Sequence, residues 1–248
     1  IWSPDGKSIV YTQQQAKGTD SNIFIADIAT GKSSLLTPHD GERIYSANDL
    51  SPDGKSVLIT SNAGNGYDNV GLLDVASKQI KWLTNDKWEI AGGGFSPDGK
   101  QLTWVANVDG NTDVYIHEVA SGKSSALPLP KGVNGLGGNH SAFTRDGARL
   151  LYYHNGPDAP NDAWAYTMAD GKSQQITRSA VGGIRAADMV EPSLVHYPSK
   201  DGKWTISAFV YMPYNLPKNA QHPAIVYVHG GPTSQTVNSF NRFVQYIA

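Results

Sequence analysis

The chain has 248 residues, with 20 Lys and Arg against 22 Asp and Glu, 26 glycines, 14 prolines and no cysteine. The missing cysteine excludes disulfides, thiolate metal sites, redox pairs and a cysteine nucleophile. A net charge of −2 with both signs interspersed leaves no polybasic face for nucleic acid or an anionic membrane. At 17% charged residues and with abundant glycine, the composition suits short strands and tight turns better than long, charge-laced helices. The longest uninterrupted apolar stretch lies around residues 224–228, far short of a membrane helix. The first residues carry no Met and no basic segment leading into an apolar one, so they do not read as a signal peptide.

In chain order, the first feature is the turn Ser3-Pro4-Asp5-Gly6-Lys7. Proline presets φ at the second position of a type I turn, Ser and Asp bond nearby backbone groups, and Gly closes it. A β-rich run at 8–12, a second at 23–28, a Gly31-Lys32 turn and a short strand ending Leu36-Thr37 complete a unit. The same order returns after Ser51-Pro52-Asp53-Gly54-Lys55, with runs at 56–61 and 70–75, Ser77-Lys78 and Leu83-Thr84. It returns again after Ser96-Pro97-Asp98-Gly99-Lys100, with runs at 101–105 and 114–119, Gly122-Lys123 and Leu127-Pro128. A worn copy, Thr144-Arg145-Asp146-Gly147, leads runs at 149–153 and 163–168, Gly171-Lys172 and Ile176-Thr177. A large apolar residue precedes each turn: Trp2, Leu50, Phe95 and Phe143. The glycines at 6, 54, 99 and 147 are 48, 45 and 48 residues apart.

With the strand that leads into each turn, every unit holds four short antiparallel strands. A repeat of that kind every ~40–50 residues is the signature of β-propeller blades. A β-sandwich with chance likeness between hairpins would not keep three separate features in register. Residues 1–177 are therefore expected to form a partial β-propeller of about four blades, the first lacking its leading strand. Because propellers close with ~4–8 blades, further blades are expected ahead of Ile1.

The beat stops at 177. Residues 178–192 read as a connector, and 193–248 as a different unit. Runs at 195–197 and 204–212 flank Asp201-Gly202, a strong hairpin signal. The compact apolar run 224–228 has the composition of a strand buried on both faces. His229-Gly230-Gly231-Pro232 follows directly. From Val237 the spacing turns helical, with Phe240, Phe243, Val244 and Ile247 on one face and residues 234–238 offering caps. Strand, Gly-Gly loop and helix are how an α/β unit begins. Glycines there let main-chain N–H groups approach a developing oxyanion with no Cβ in the way, and Pro232 has no N–H, so Gly230 or Gly231 would donate. A strand-ending turn that needs positive φ is the competing explanation of the two glycines.

Blades of Ser-Pro-Asp-Gly turns followed by this strand and His-Gly-Gly-Pro resemble the prolyl oligopeptidase family of serine peptidases, most closely its acylaminoacyl-peptidase-like branch. The blade turns, residues 156–162 in the last blade's loop, 201–213 and 223–235 carry the likeness. The resemblance implies a mostly β chain: a propeller of four-stranded antiparallel blades, followed by the first strands and helix of an α/β-hydrolase domain. It implies short peptide substrates, an acyl-enzyme intermediate, a propeller restricting entry, and no metal or other cofactor. Gly231 would be the oxyanion donor, with Gly230, His229 and Pro232 completing the loop; His229 would not be the catalytic histidine. No Gly-x-Ser-x-Gly occurs, so the triad is not present in this chain and is expected beyond Ala248; the chain by itself is expected to be inactive. Neither compartment nor oligomeric state is marked. A non-catalytic propeller scaffold with a degenerate hydrolase tail is the runner-up. An esterase or lipase sharing the His-Gly-Gly element is disfavoured by the blades.

Other candidates carry less. Asp109, Asn111 and Asp113 have calcium-loop spacing, but Val114 stands where the sharp turn needs Gly and Ala120 where a bidentate Glu is needed, so they read as an inter-strand loop. His117 and His154 fall on strands, and His39, His196 and His222 near turns or strand edges; none has metal-ligand spacing, and packing or surface roles are expected. His140, in a Gly-rich approach strand, could face the central cavity, with blade packing the stronger expectation. Trp82, Trp104 and Trp164 recur on blade strands and read as core or inter-blade packing.

Overall fold

The computed structural model describes residues 1–16, 18–137, 142–180, 182–217, 221–231 and 233–248. Each blade starts from its turn. At the second copy the Gly54 N–H donates to Ser51 O (2.8 Å), the Ser51 hydroxyl to Asp53 Oδ1 (2.6 Å), and the Lys55 N–H to the same oxygen (3.1 Å). The Ser56 N–H then donates to Ser51 Oγ (2.9 Å), so the next strand begins at a fixed residue. The same set of bonds recurs at Ser3, Ser96 and Thr144. The Ser51 hydroxyl first, then the Lys55 N–H, hold the Asp53 carboxyl below the usual carboxylate range, and the Asp98 carboxyl is held down likewise by Ser96 and Lys100.

Strands follow in antiparallel order. The first blade has β1 (Ser8–Gln14), β2 (Ser21–Asp27) and β3 (Ser33–Leu35). The second has β4 (Tyr45–Leu50), β5 (Ser56–Ser61), β6 (Asn69–Asp74) and β7 (Ile80–Trp82). The third has β8 (Glu89–Phe95), β9 (Gln101–Val108), β10 (Asn111–Glu118) and β11 (Ser124–Ala126). The fourth has β12 (Val133–Leu136), β13 (Arg149–Gly156), β14 (Ala159–Thr167) and β15 (Ser173–Gln175). A single parallel pair, Thr112 with Val133, joins the third and fourth blades into one sheet. The first blade has three strands, as its missing leader implied, with only the isolated bridge Trp2–Ile9 on that side. Trp2 is accordingly 62% exposed, whereas Leu50, Phe95 and Phe143 at the matching positions are buried.

Because side chains alternate across a strand, each middle blade buries both of its faces. Val57 and Ile59 of β5 pack toward the first blade with Val10, Ile23, Leu36 and Tyr45, while Leu58 packs the opposite way with Ile90, Phe95, Leu102 and Trp104. A third cluster joins Val114, Ile116 and Leu127 to Phe143, Leu150, Tyr152 and Tyr166 of the fourth blade. Fully burying a side chain such as Leu58 stabilises by ~1.5–3 kcal/mol, so the blades are held face to face chiefly by these layers. Trp104 lies in this packing, stacked on Tyr115 at 5.9 Å, and Trp164 stacks on Tyr152 at 6.2 Å. Trp82 differs from expectation: on the edge strand β7 it is 37% exposed and covers Gly71 instead of filling a core.

A second recurring device fastens the outer strand. Thr37 Oγ1 donates to Asn22 Oδ1 (3.1 Å), Thr84 Oγ1 to Asn69 Oδ1 (2.8 Å) and Thr177 Oγ1 to Asp162 Oδ1 (2.6 Å). Each threonine oxygen in turn accepts the N–H of the residue after the Asn or Asp, and the chain leaving the blade returns an N–H to Asn69 and Asp162. Desolvation alone would raise the Asp162 carboxyl, but the bonds from Thr177, Ser179 and Gln175 together hold it below its ordinary value.

The last part of the chain corrects several expectations. Residues 156–162 are not a loop: they form the tip of the β13–β14 hairpin and the start of β14, with Gly156 paired to Ala159. Among its described residues the connector contains one 3₁₀ turn, Ala186–Asp188, where Arg185 chelates Asp188. β16 (Ser193–Pro198) and β17 (Thr205–Val210) form the expected hairpin, and His196 sits inside β16, not at its edge. Their turn, Ser199-Lys200-Asp201-Gly202, repeats the blade-turn bonds as a fifth copy. Residues 224–228 form no strand. They have the composition of one but no hydrogen-bonded neighbour among the described residues, and Val226 is 85% exposed. The helix α1 (Arg242–Ile247) starts later than its apolar spacing suggested, because Asn241, not residues 234–238, caps it by accepting the Phe243 and Val244 N–H groups.

In the turn before each outer strand, Gly31, Gly122 and Gly171 adopt positive φ, and Lys78 takes that place in the second blade at φ 61°. Left-handed backbone costs a side-chain-bearing residue ~1–2 kcal/mol, against ~0.4–1 kcal/mol that glycine loses to unfolded-state freedom. Lys78→Gly is therefore expected to stabilise the protein by about 0.5–1 kcal/mol, and Gly122→Lys to destabilise it by a similar amount, read from urea unfolding midpoints.

Candidate functional site

Two hairpin tips of the propeller meet the C-terminal segment. The β9–β10 tip is the two-residue turn Asp109-Gly110, both at positive φ (50° and 77°), between Val108 and Asn111. That is the primed turn an Asp-Gly pair specifies, and it matches the strand twist. Asp109 and Asn111 thus serve a turn and not a calcium loop; Asp109 instead reaches His196 Nε2 (Oδ2, 3.2 Å) and accepts from the Ser207 hydroxyl (Oδ1, 3.3 Å) on the β16–β17 hairpin. The Phe209 ring and the Thr236 carbonyl close over Gly110. The Asn238 N–H donates to Gly110 O (2.8 Å), its Nδ2 donates to Asn111 Oδ1 (2.8 Å), and Asn107 Nδ2 donates to Gln235 Oε1 (2.7 Å).

The β13–β14 tip, Pro157-Asp158, holds the helix end of the segment. Asn155 Oδ1 accepts the Phe240 N–H (2.9 Å), and Gln245 Nε2 donates to Pro157 O (2.8 Å) and to Val190 O (2.9 Å). Gln245 Oε1 accepts the Val190 N–H (2.8 Å), so one glutamine ties the connector, the helix and the blade together. The sequence marked neither Asn107, Asn155 nor Gln245. The signal available was the pair of two-residue tips, since an Asp-Gly or Pro-Asp tip in a blade is shorter than the polar loops of the first two blades.

Ahead of these anchors in the chain lies the Gly-Gly loop. His229 Nδ1 is 2.9 Å from Gly230 O, and His229, Gly230 and Gly231 are exposed. Gly231 has φ 150°, and a Cβ there would stand 2.9 Å from the Thr233 nitrogen and 3.1 Å from Ser234 Cβ, so the position requires glycine. Pro232 and His140 lie outside the described residues. Ahead of the loop, the Tyr227 ring meets Phe243 of α1 at 6.2 Å.

The other described histidines are held by local hydrogen bonds, His117 and His154 in the packed blades and His222 at the surface. His39 bridges Thr37 O and Asp20 Oδ1, both at 2.9 Å. His117 lies against Trp104, with Nδ1 2.9 Å from Ser124 Oγ. His222 Nε2 is 3.0 Å from Pro217 O. His154, beside the β13–β14 tip, has Nδ1 2.9 Å from Asn134 Oδ1. Asn134 gives its amide hydrogens to Thr112 O and Pro130 O, so its oxygen accepts and His154 Nδ1 carries a proton. Among the described residues, no three His, Asp or Glu side chains gather as a metal site requires, and no helix is long and apolar enough to cross a membrane.

The TolB beta propeller domain family (PD40) matches residues 1–184. Dipeptidyl-peptidase 5 of Porphyromonas gingivalis is 23% identical over 98% of this chain and 36% of its own length. The Tol-Pal system protein TolB of Francisella tularensis subsp. tularensis is 26% identical over 71% of this chain and 39% of its own. The structure of a Mycobacterium tuberculosis puromycin-hydrolyzing peptidase superposes with a TM-score of 0.78 at 18% identity, covering 97% of this chain and 38% of that one, which shows the shared fold. The chain thus spans between a third and two fifths of the length of these curated relatives.

Burial, the largest influence on each, pushes the His117 and His154 rings below the usual histidine pKa. The unfolded chain takes up protons near pH ~6.5 that these folded rings refuse, so the unfolded state binds more protons there and stability falls as pH drops through that region. The urea midpoint is expected to decrease from pH 7 to pH 5. His154→Gln, which keeps a donor toward Asn134, is expected to flatten part of that decrease.

Proposed function

The chain belongs to the TolB beta propeller domain family over residues 1–184, and from that footing we propose that it is the propeller and oxyanion-loop portion of a serine-type peptidase acting on short peptides. Residues 1–177 are the partial propeller, 178–192 the connector and 193–248 the opening of an α/β-hydrolase domain. One observation carries the reading: the similarity to dipeptidyl-peptidase 5 and to the puromycin-hydrolyzing peptidase covers 98% and 97% of the chain and so extends well past the propeller, while that to TolB covers only 71% of the chain. A scaffold propeller has no use for an oxyanion donor. The motif likeness to the acylaminoacyl-peptidase-like branch supports the same class of substrate.

In the proposed reaction a serine hydroxyl attacks the scissile carbonyl, a histidine takes its proton, and the tetrahedral oxyanion forms against backbone N–H groups. The Gly231 N–H is one of these donors, with Gly230 beside it and His229 and Pro232 shaping the loop. The serine, aspartate and histidine are supplied by residues beyond this chain, and the propeller restricts entry to short peptides. No cofactor, nucleic acid or membrane takes part. The TolB similarity supports a second reading, a non-catalytic propeller that binds partners, and one experiment separates the two.

The full-length polypeptide is expected to hydrolyse a short peptide p-nitroanilide and to be labelled by a fluorophosphonate, whereas residues 1–248 alone do neither. In the full-length polypeptide, Gly231→Ala keeps the N–H but sets a Cβ against the Thr233 nitrogen, so it is expected to displace the donor and lower kcat by up to about 100-fold, the scale of losing one oxyanion-hole donor. An unlabelled, inactive full-length polypeptide would establish the scaffold reading instead.

A further inference from the structure

We propose that the β9–β10 hairpin of the third blade positions the oxyanion loop, and that Asn107 and Gln235 are the pair through which it does so. The inference rests on the reading of Gly231 as an oxyanion donor and adds a positioning role for the propeller. An oxyanion donor is useful only if it is fixed before the charge develops, and a displacement of ~1 Å can cost on the order of 100-fold in rate. The Gly-Gly loop is exposed, and the run 224–228 ahead of it has no strand partner among the described residues. Its restraint comes from the other side. Four residues after Gly231, Gln235 Oε1 accepts from Asn107 Nδ2 (2.7 Å), and three residues later Asn238 is locked to the tip through Gly110 O and Asn111 Oδ1.

Asn107 is built for this role. Its Oδ1 accepts the Gly110 N–H inside its own turn (3.1 Å), which settles the orientation of the amide and leaves Nδ2 pointing outward to Gln235. The tip itself is a two-residue primed turn and hence stiff, and Asn238 is 8% exposed beneath the segment. The hairpin therefore offers a preset donor at a fixed place, and the loop hangs from it by one hydrogen bond close to Gly231 and two further along.

A double-mutant cycle in the full-length polypeptide, read as kcat and KM on the p-nitroanilide, tests the pair. Asn107→Ala and Gln235→Ala are each expected to lower kcat on the order of tenfold, with KM changed by less than about twofold, and the double variant to be no slower than the slower single. Amide exchange in the peptide containing Gly230 and Gly231 is expected to quicken in Gln235→Ala, a variant that leaves the blade untouched. Additive effects, a change confined to KM, or unchanged exchange overturn the positioning role. Unchanged kcat in both single variants, while Gly231→Ala still slows the enzyme, overturns it with the oxyanion reading intact. No turnover by the wild-type polypeptide overturns both.

Discussion

A carboxylate that accepts two hydrogen bonds inside a six-residue hairpin end sets the geometry of every blade. In each Ser-x-Asp-Gly turn the aspartate takes the serine hydroxyl and the N–H two residues on, the serine oxygen takes the N–H that opens the next strand, and the glycine carries the left-handed backbone. The start of the strand is thereby fixed to a single residue, and with it which side chains face which neighbour, since a slip of one residue would turn every apolar group to the wrong face. The turns also touch one another. A Cβ on Gly54 would lie 3.7 Å from Pro4 Cδ, on Gly99 3.3 Å from Pro52, and on Gly147 3.9 Å from Pro97. Each proline thus rests on the glycine of the following blade, so one local motif sets strand register and blade-to-blade spacing together.

That locality explains what was legible in the sequence. All four first runs begin where the structure begins them, at Ser8, Ser56, Gln101 and Arg149, because the turn that dictates the start lies within five residues. Their ends were read too short in three blades, since β1, β9 and β13 stop where a partner strand stops and nothing local records that. The Thr-to-Asn or Thr-to-Asp fastening was half seen. The recurring Leu-Thr was visible, but its partner lies 15 residues earlier, and only the fixed distance from Asn22, Asn69 and Asp162 betrays it.

The last third was less legible for the same physical reason. Residues 224–228 have the composition of a buried strand, yet composition states a preference and not a neighbour, and the described residues offer none. The helix shows the opposite error: its apolar spacing was real, but Asn241 supplies the cap, and a cap decides where a helix starts more strongly than periodicity does. The fifth Ser-x-Asp-Gly turn, at Ser199, was read only as an Asp-Gly hairpin because its second residue is lysine where the first three blade turns have proline; the bonds it forms do not depend on that residue.

The hairpin tips show how the fold prepares its contact with the segment that carries Gly231. In the first blade β1 and β2, and in the second β5 and β6, are joined across long polar loops, Gln14 to Ser21 and Ser61 to Asn69. In the third and fourth blades the same connection shrinks to two residues, Asp109-Gly110 and Pro157-Asp158. A two-residue tip continues the ladder to its last pair, so its residues are held by the sheet itself. The segment is held by the stiff tips: Gly110, Asn111 and Asn107 on one, Asn155 and Pro157 on the other. In the role proposed for Gly231, a loop made of glycines cannot hold its own shape, because the freedom that lets its backbone come close to a ligand is the freedom it must lose to act. Rigidity therefore has to come from outside the loop, and in this chain the nearest rigid body is the edge of the propeller.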